Sequence, residues 1–113
     1  MEEFKRLSYE DKLLVALNHP VPERRMMAAQ ILGNMRSQRA LNEFLKIVTS
    51  GNTDYYFLRA VLLATAKINH PDRQLILQKA SQHYSTLISN FAIELIEQLE
   101  ENGSVDEWDR HTG

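Results

Sequence analysis

The chain has 113 residues, no cysteine and a formal net charge of -2. That length suits one domain, large enough to stand without covalent staples. The lack of cysteine removes disulfides, thiolate zinc sites and thiol nucleophiles together, and a mildly acidic chain makes a poor general nucleic-acid binder.

Residues 1–7 form a charged lead-in with Phe4 and Leu7 as anchors. MEEFKRLSYEDK has no apolar signal core, so a cytoplasmic protein is expected. Ser8 is placed as an N-cap, with Glu10 and Asp11 in the first turn, where carboxylates favour the helix dipole. A first helix then runs to about Leu17 on Leu13, Leu14 and Leu17, and Asn18-His19-Pro20 ends it. Pro22 and Glu23 open a second helix to about Asn34, with Met27, Ala28, Ile31, Leu32 and Met35 inward. Gly33 offers a place for close helix approach or a cap. Ser37 is placed as the cap of a third helix, where Leu41, Phe44, Leu45 and Val48 keep the spacing of one amphipathic face. Ser50-Gly51-Asn52 stops it.

Thr53 or Asp54 then caps the stretch Tyr55 to Ile68, YYFLRAVLLATAKI, whose only charges are Arg59 and Lys67. A helix apolar nearly all round must be covered on several sides. It is too short for a bilayer, which needs about 20 apolar residues. It is therefore the central helix of an all-helical domain. Asn69-His70-Pro71 ends it as residues 18–20 end the first. A fifth helix follows from Asp72 to about His83 with Leu75, Ile76 and Ala80 inward. Ser85 or Thr86 opens a sixth, striped by Leu87, Ile88, Phe91, Ala92, Leu95, Ile96 and Leu99, and Asn102-Gly103 stops it. Residues 1–103 make one domain, and 104–113 an acidic, flexible tail carrying Trp108.

The charge is uneven. Residues 1–50 hold eight Lys/Arg against six Asp/Glu, and residues 51–113 hold five against nine.

An internal repeat links the second and fourth helices. Arg25 to Gly33 has the form R-x-x-A-A-x-x-L-G, and 34 residues on Arg59 to Lys67 keeps the layout, with Lys67 in place of the glycine. The segment from Leu13 to about Ala80 resembles the HEAT-repeat family, in particular the short bacterial HEAT-like repeats also found in phycobilin lyases. Residues 84–102 look like the first helix of a further unit but lack the arginine. The resemblance implies a right-handed α-α superhelix of two and a half to three helix pairs, used as a binding surface. It also implies that Arg25 and Arg59 tie adjacent repeats together. The partner is not named by it.

Arg24, Arg25, Arg36 and Arg39 either gather into a patch for carboxylate, phosphate or an acidic peptide, or form a solvated basic face. Tyr55, Tyr56 and Tyr84 either make an aromatic contact surface or pack inward; adjacent helix positions cannot both point inward, which leaves one of Tyr55 and Tyr56 outside. Glu94, Glu97 and Glu101 share one face and read as solvated carboxylates. The four histidines show no metal spacing, so no metal or cofactor is expected. Leu14 and Val15 at one end of the stack, with Phe91 or Leu95 at the other, would leave apolar patches and a route to a homodimer. The expected function is a non-catalytic adaptor that binds a protein or peptide on the face of the first helices. The rivals are a nucleic-acid or phosphate-ligand module built on the four arginines, and, by family analogy, a small lyase or its accessory subunit.

Overall fold

The computed structural model describes residues 7–105. Six α-helices and no strand lie among them: α1 Tyr9–Ala16, α2 Pro22–Asn34, α3 Ala40–Thr49, α4 Tyr55–Lys67, α5 Asp72–Ser81 and α6 Thr86–Asn102. Phe4 and residues 106–113 of the tail, Trp108 among them, lie outside the described residues; Val105, at the start of that tail, is buried in the core, which corrects the expectation there. None of the helices is long and apolar enough to cross a membrane.

Local chemistry sets most of the boundaries. The Ser8 hydroxyl accepts from the Asp11 N–H at 3.0 Å and the Asp11 carboxylate accepts from the Ser8 N–H at 3.1 Å. This reciprocal box satisfies two orphan donors of α1. Pro22 is the first residue of α2, where a missing N–H costs nothing. The Asp54 carboxylate accepts from the Phe57 N–H at 3.2 Å and caps α4. Gly103, at φ 75°, closes α6. His19, His70 and His83 each accept at Nδ1 the backbone N–H two residues on, at 3.0, 3.1 and 3.0 Å. Each ring thereby braces the turn into the next helix.

The entry to α3 differs from expectation. Ser37 does not cap it: the helix begins at Ala40, Arg39 holds the cap position, and no side chain caps it. The reason lies at the end of α2. Arg36 adopts a left-handed conformation (φ 56°). The Ser37 N–H then reaches the Leu32 carbonyl and the Arg36 N–H the Gly33 carbonyl, both at 3.0 Å. This pair of bonds satisfies the last carbonyls of α2. Ser37 is thereby buried, and its hydroxyl donates to the Glu10 carboxylate.

The helices pack in two rows. α2 lies against α4 and α4 against α6; α3 lies against α5. α3 and α5 also touch α4, α5 touches α6, and α1 rests on α2. The centre is α4, where eight of thirteen residues are buried. Its buried Thr65 hydroxyl donates to the Val61 carbonyl at 2.8 Å, so no polar group is stranded there. The α2–α4 crossing is the tightest point: a Cβ on Gly33 would stand 2.7 Å from both Cα and Cβ of Ala64. Arg73, from α5, donates to the Ala66 carbonyl at 3.1 Å and closes the end of α4.

Several inward assignments are corrected. Met27 is 57% exposed, because α2 buries its Ala28, Ala29, Leu32 and Gly33 flank and residue 27 lies off it. Met35 is exposed as well. α5 buries Ile76, Leu77 and Ala80, which turns Leu75 to the surface, and it ends at Ser81. α6 starts its buried stripe at Ile88, leaving Leu87 outside. Phe91 and Leu95 are buried, so no patch forms there; Val15 is exposed and Leu14 half-buried. In each case the apolar run is wider than the buried arc, and one position is a turn of about 100°.

Gly33→Ala should destabilise the protein. An added methyl gains about 1 kcal/mol of helix propensity but meets backbone at the crossing, an overpacking cost of about 1–3 kcal/mol. The expected result is a lower urea midpoint, with Ala64→Gly on the same chain restoring only part of it because the Ala64 Cα is itself in the way.

Candidate functional site

A groove runs along the outer side of the α2–α4 pair. On α4, Tyr56, Ala60, Leu63 and Lys67 succeed one another at helical spacing along it. On α2, Met26 and Gln30 form the other wall. The groove continues past the start of both helices into a hollow of about 170 Å³ lined by Pro22, Glu23, Met26, Asp54, Tyr56 and Phe57. Met26 and Tyr56 belong to both stretches, so the two are continuous. At the far end Lys67 Nζ donates to Asn34 Oδ1 at 2.9 Å and ties α4 to α2. The groove thus has a floor of small and apolar side chains, carboxylates at one end, the Lys67 ammonium at the other and the Arg59 guanidinium on its α4 side between them.

Tyr56 is 71% exposed. It meets Tyr55 edge-on, with ring centroids 5.3 Å apart at 76°. Tyr55 is half-buried and Phe57 buried. Adjacent positions therefore divide as helix geometry requires, with Tyr56 the outer ring. Tyr84 is also exposed but stacks on His83 at 4.4 Å, and the Tyr55–Tyr56 pair does not include it. Met26, Gln30, Leu63 and Lys67 were not foreseen as a site. The signal lay in the 56–60–63–67 spacing, masked by the stronger apolar stripe through Phe57.

The four arginines do not act as one group. Arg25 Nη1 donates to the His19 carbonyl at 2.8 Å, its Nη2 stands 3.5 Å from the Asp54 carboxylate, and its guanidinium lies 5.6 Å from the Phe57 ring centroid. It therefore ties the α1–α2 turn to the start of α4. Arg59 lies over the Phe91 ring at 4.8 Å. Each arginine thus covers a phenylalanine 32 residues ahead, on the next helix of the same row. Arg39 pairs with Glu10 at 3.0 Å and Asp11 at 2.6 Å. Arg25 and Arg39 consequently engage opposite ends of α1. Arg36 donates to the Asn34 carbonyl at 3.4 Å. Arg24 is exposed on α2 beside Met27.

The ion pairs at α1 shape its electrostatics. Glu10 is held below its ordinary value, first by the Ser37 hydroxyl and then by Arg39. Asp11 is held down first by Arg39, then by hydrogen bonds from Ser8. Arg39 is raised in return. Burial lowers Arg73. A second, larger cleft of about 340 Å³ opens between the α1–α2 turn and α3, with Arg25, Asn18, Asn52 and Phe57 on its wall. Glu43 and Lys46 also line it, bonded to each other at 3.1 Å. The Arg25 Nε is buried without a hydrogen-bond partner. No cluster of three or more metal-ligating side chains lies among the described residues.

Fold and groove together define an all-helical protein with a grooved helix row. No family model, curated protein or solved structure matches the chain.

Two outcomes are expected. Glu10 and Asp11 have lowered folded values, so their contribution is present above the unfolded carboxylate range near about 4 and is lost as pH falls through the folded values. Melting temperature should therefore fall with acidification, and Arg39→Met should flatten that dependence, with an effect that shrinks in salt. Arg25→Met should cost about 1–3 kcal/mol in urea unfolding, the range for removing a charged hydrogen-bond donor, and Arg25→Lys should recover only part because an ammonium cannot span the same acceptors.

Proposed function

We propose that the chain is a non-catalytic helical adaptor that binds a peptide segment of a protein partner in the α2–α4 groove. The observation that carries this reading is Tyr56, a largely exposed ring at the mouth of a groove lined by Met26, Ala60 and Leu63. An exposed aromatic beside a small apolar hollow is the form of an interface anchor. The hollows are side-chain sized, which suits a segment laid along the groove rather than an enclosed small molecule. Glu23 and Asp54 at one end and Lys67 at the other favour a segment with an apolar anchor, a basic residue toward Glu23 and an acidic one toward Lys67.

A HEAT-like stack is the architecture we propose for it, as a right-handed α-α superhelix. The two helix rows and the repeated arginine-over-phenylalanine contact support that assignment. A cytoplasmic setting fits the cysteine-free sequence. The nucleic-acid alternative draws less support, since Arg25 and Arg39 are taken up in internal ion pairs.

Selection from a displayed peptide library should yield segments sharing an apolar anchor flanked by opposite charges. Tyr56→Ala should weaken their binding by about tenfold or more, as for an anchor worth about 1.4 kcal/mol or above, while Arg39→Met leaves it unchanged. Binding indifferent to Tyr56→Ala and to Leu63→Glu would contradict the reading. A low-salt shift with DNA or RNA, lost when Arg24, Arg25, Arg36 and Arg39 are all changed to Glu, would replace it.

A further inference from the structure

The two ends of the helix row are unlike each other. At the α2 end, Arg24, Met27, Ile31 and Met35 succeed one another at helical spacing on one flank. Ile31 stands two residues from Gly33, which faces α4, so it lies about 200° round the helix from that contact. This flank is open: Met27 is 57% and Met35 45% exposed, and Tyr9 of α1, which lines the same hollow as Met27, is 61% exposed. Between α1 and α2 a hollow of about 210 Å³ is lined by Tyr9, Leu13, Arg24, Met27 and Ile31. A row of stacked helices normally ends on a polar flank; this end does not.

At the α6 end the chemistry is the opposite. Phe91 meets Arg59 of α4, and Ile93, two residues on, lies about 200° round from it. Ile93 is 43% exposed. Its neighbours on that flank are the half-buried Ile96 and the exposed Glu97 and Glu100, at i+3, i+4 and i+7. Glu94 and Glu101 are also exposed, and α6 contains no lysine or arginine.

We infer that this chain associates head to tail with a second copy of itself. The α6 flank of one molecule seats on the α1–α2 flank of the next, Ile93 entering beside Met27 and the α6 glutamates facing Arg24. The two surfaces differ, so the contact is heterologous: each molecule keeps one free head and one free tail, and assembly continues past a dimer. This goes beyond the peptide-binding reading and uses no residue of the groove wall opposite α2.

The experiment is sedimentation analysis of the whole chain over a concentration series at low and high salt, with two variants at exposed positions. Met27→Glu sets a carboxylate against the acidic α6 flank and blocks the head. Ile93→Glu puts a carboxylate where an apolar side chain enters beside Met27, and so blocks the tail and repels the blocked head of the first variant as well. The wild type should give masses that rise beyond dimer with concentration and fall with salt. Each variant alone should stay monomeric. Their equimolar mixture should form a one-to-one dimer and stop, because one intact tail meets one intact head. A monomeric wild type at all concentrations would overturn the inference, as would a wild type that stops at dimer or a mixture that stays monomeric. Circular dichroism of both variants, expected to match wild type, keeps loss of assembly apart from loss of fold. Tyr56→Ala should assemble as wild type does, so the outcome stands apart from that of peptide binding.

Discussion

The contact between Gly33 and Ala64 is the constraint on which the rest depends. With no Cβ on one side and only a methyl on the other, α2 and α4 come together at van der Waals distance. That approach lets a flank made of Ala28, Ala29 and Leu32 bury completely without a large side chain to fill a gap. It also gives the outer groove its shallow floor, because Ala60 and Ala64 stand where bulkier residues would fill it. At the other end of α2, Arg25 reaches both the His19 carbonyl and the cap residue of α4. The crossing and the arginine tie act at opposite ends of the same helix and hold its angle between them.

The row then extends by the same logic. Arg59 repeats over Phe91 what Arg25 does over Phe57, so α6 is held on α4 as α4 is held on α2. A row built in this way has one long outer face and two ends. The face carries the groove; one end carries apolar residues with Arg24 and the other carries Ile93 with glutamates. The proposed peptide binding and the proposed self-association thus fall on separate surfaces of one simple architecture.

Helix starts and stops were legible because their causes are local. Ser8 with Asp11, Pro22, Asp54 and Gly103 each act within a few residues of where they stand. The all-round apolar stretch at Tyr55 to Ile68 announced the centre for a similar reason: its composition alone demanded cover. What escaped the sequence was set by distant residues. Ser37 reads as a cap until the left-handed turn at Arg36 buries it, where Glu10, 27 residues earlier, takes its hydroxyl. The arginine cluster reads as a patch until Asp54 takes Arg25 and the α1 carboxylates take Arg39. Met27, Leu75 and Leu87 read as core because their helices carry more apolar residues than the neighbours cover. The groove residues Met26 and Gln30 had no local mark, since a groove exists only once two helices lie side by side.

Amide hydrogen exchange on the intact protein is the most direct measure of whether α4 and its contact with α2 organise the domain. The slowest amides should lie in α4 between Leu58 and Ala66 and along the α2 segment from Ala29 to Gly33, opening together as one unit, while α1 and the end of α6 exchange faster. Protection in α4 no greater than in α1, or α2 and α4 opening independently, would contradict the account.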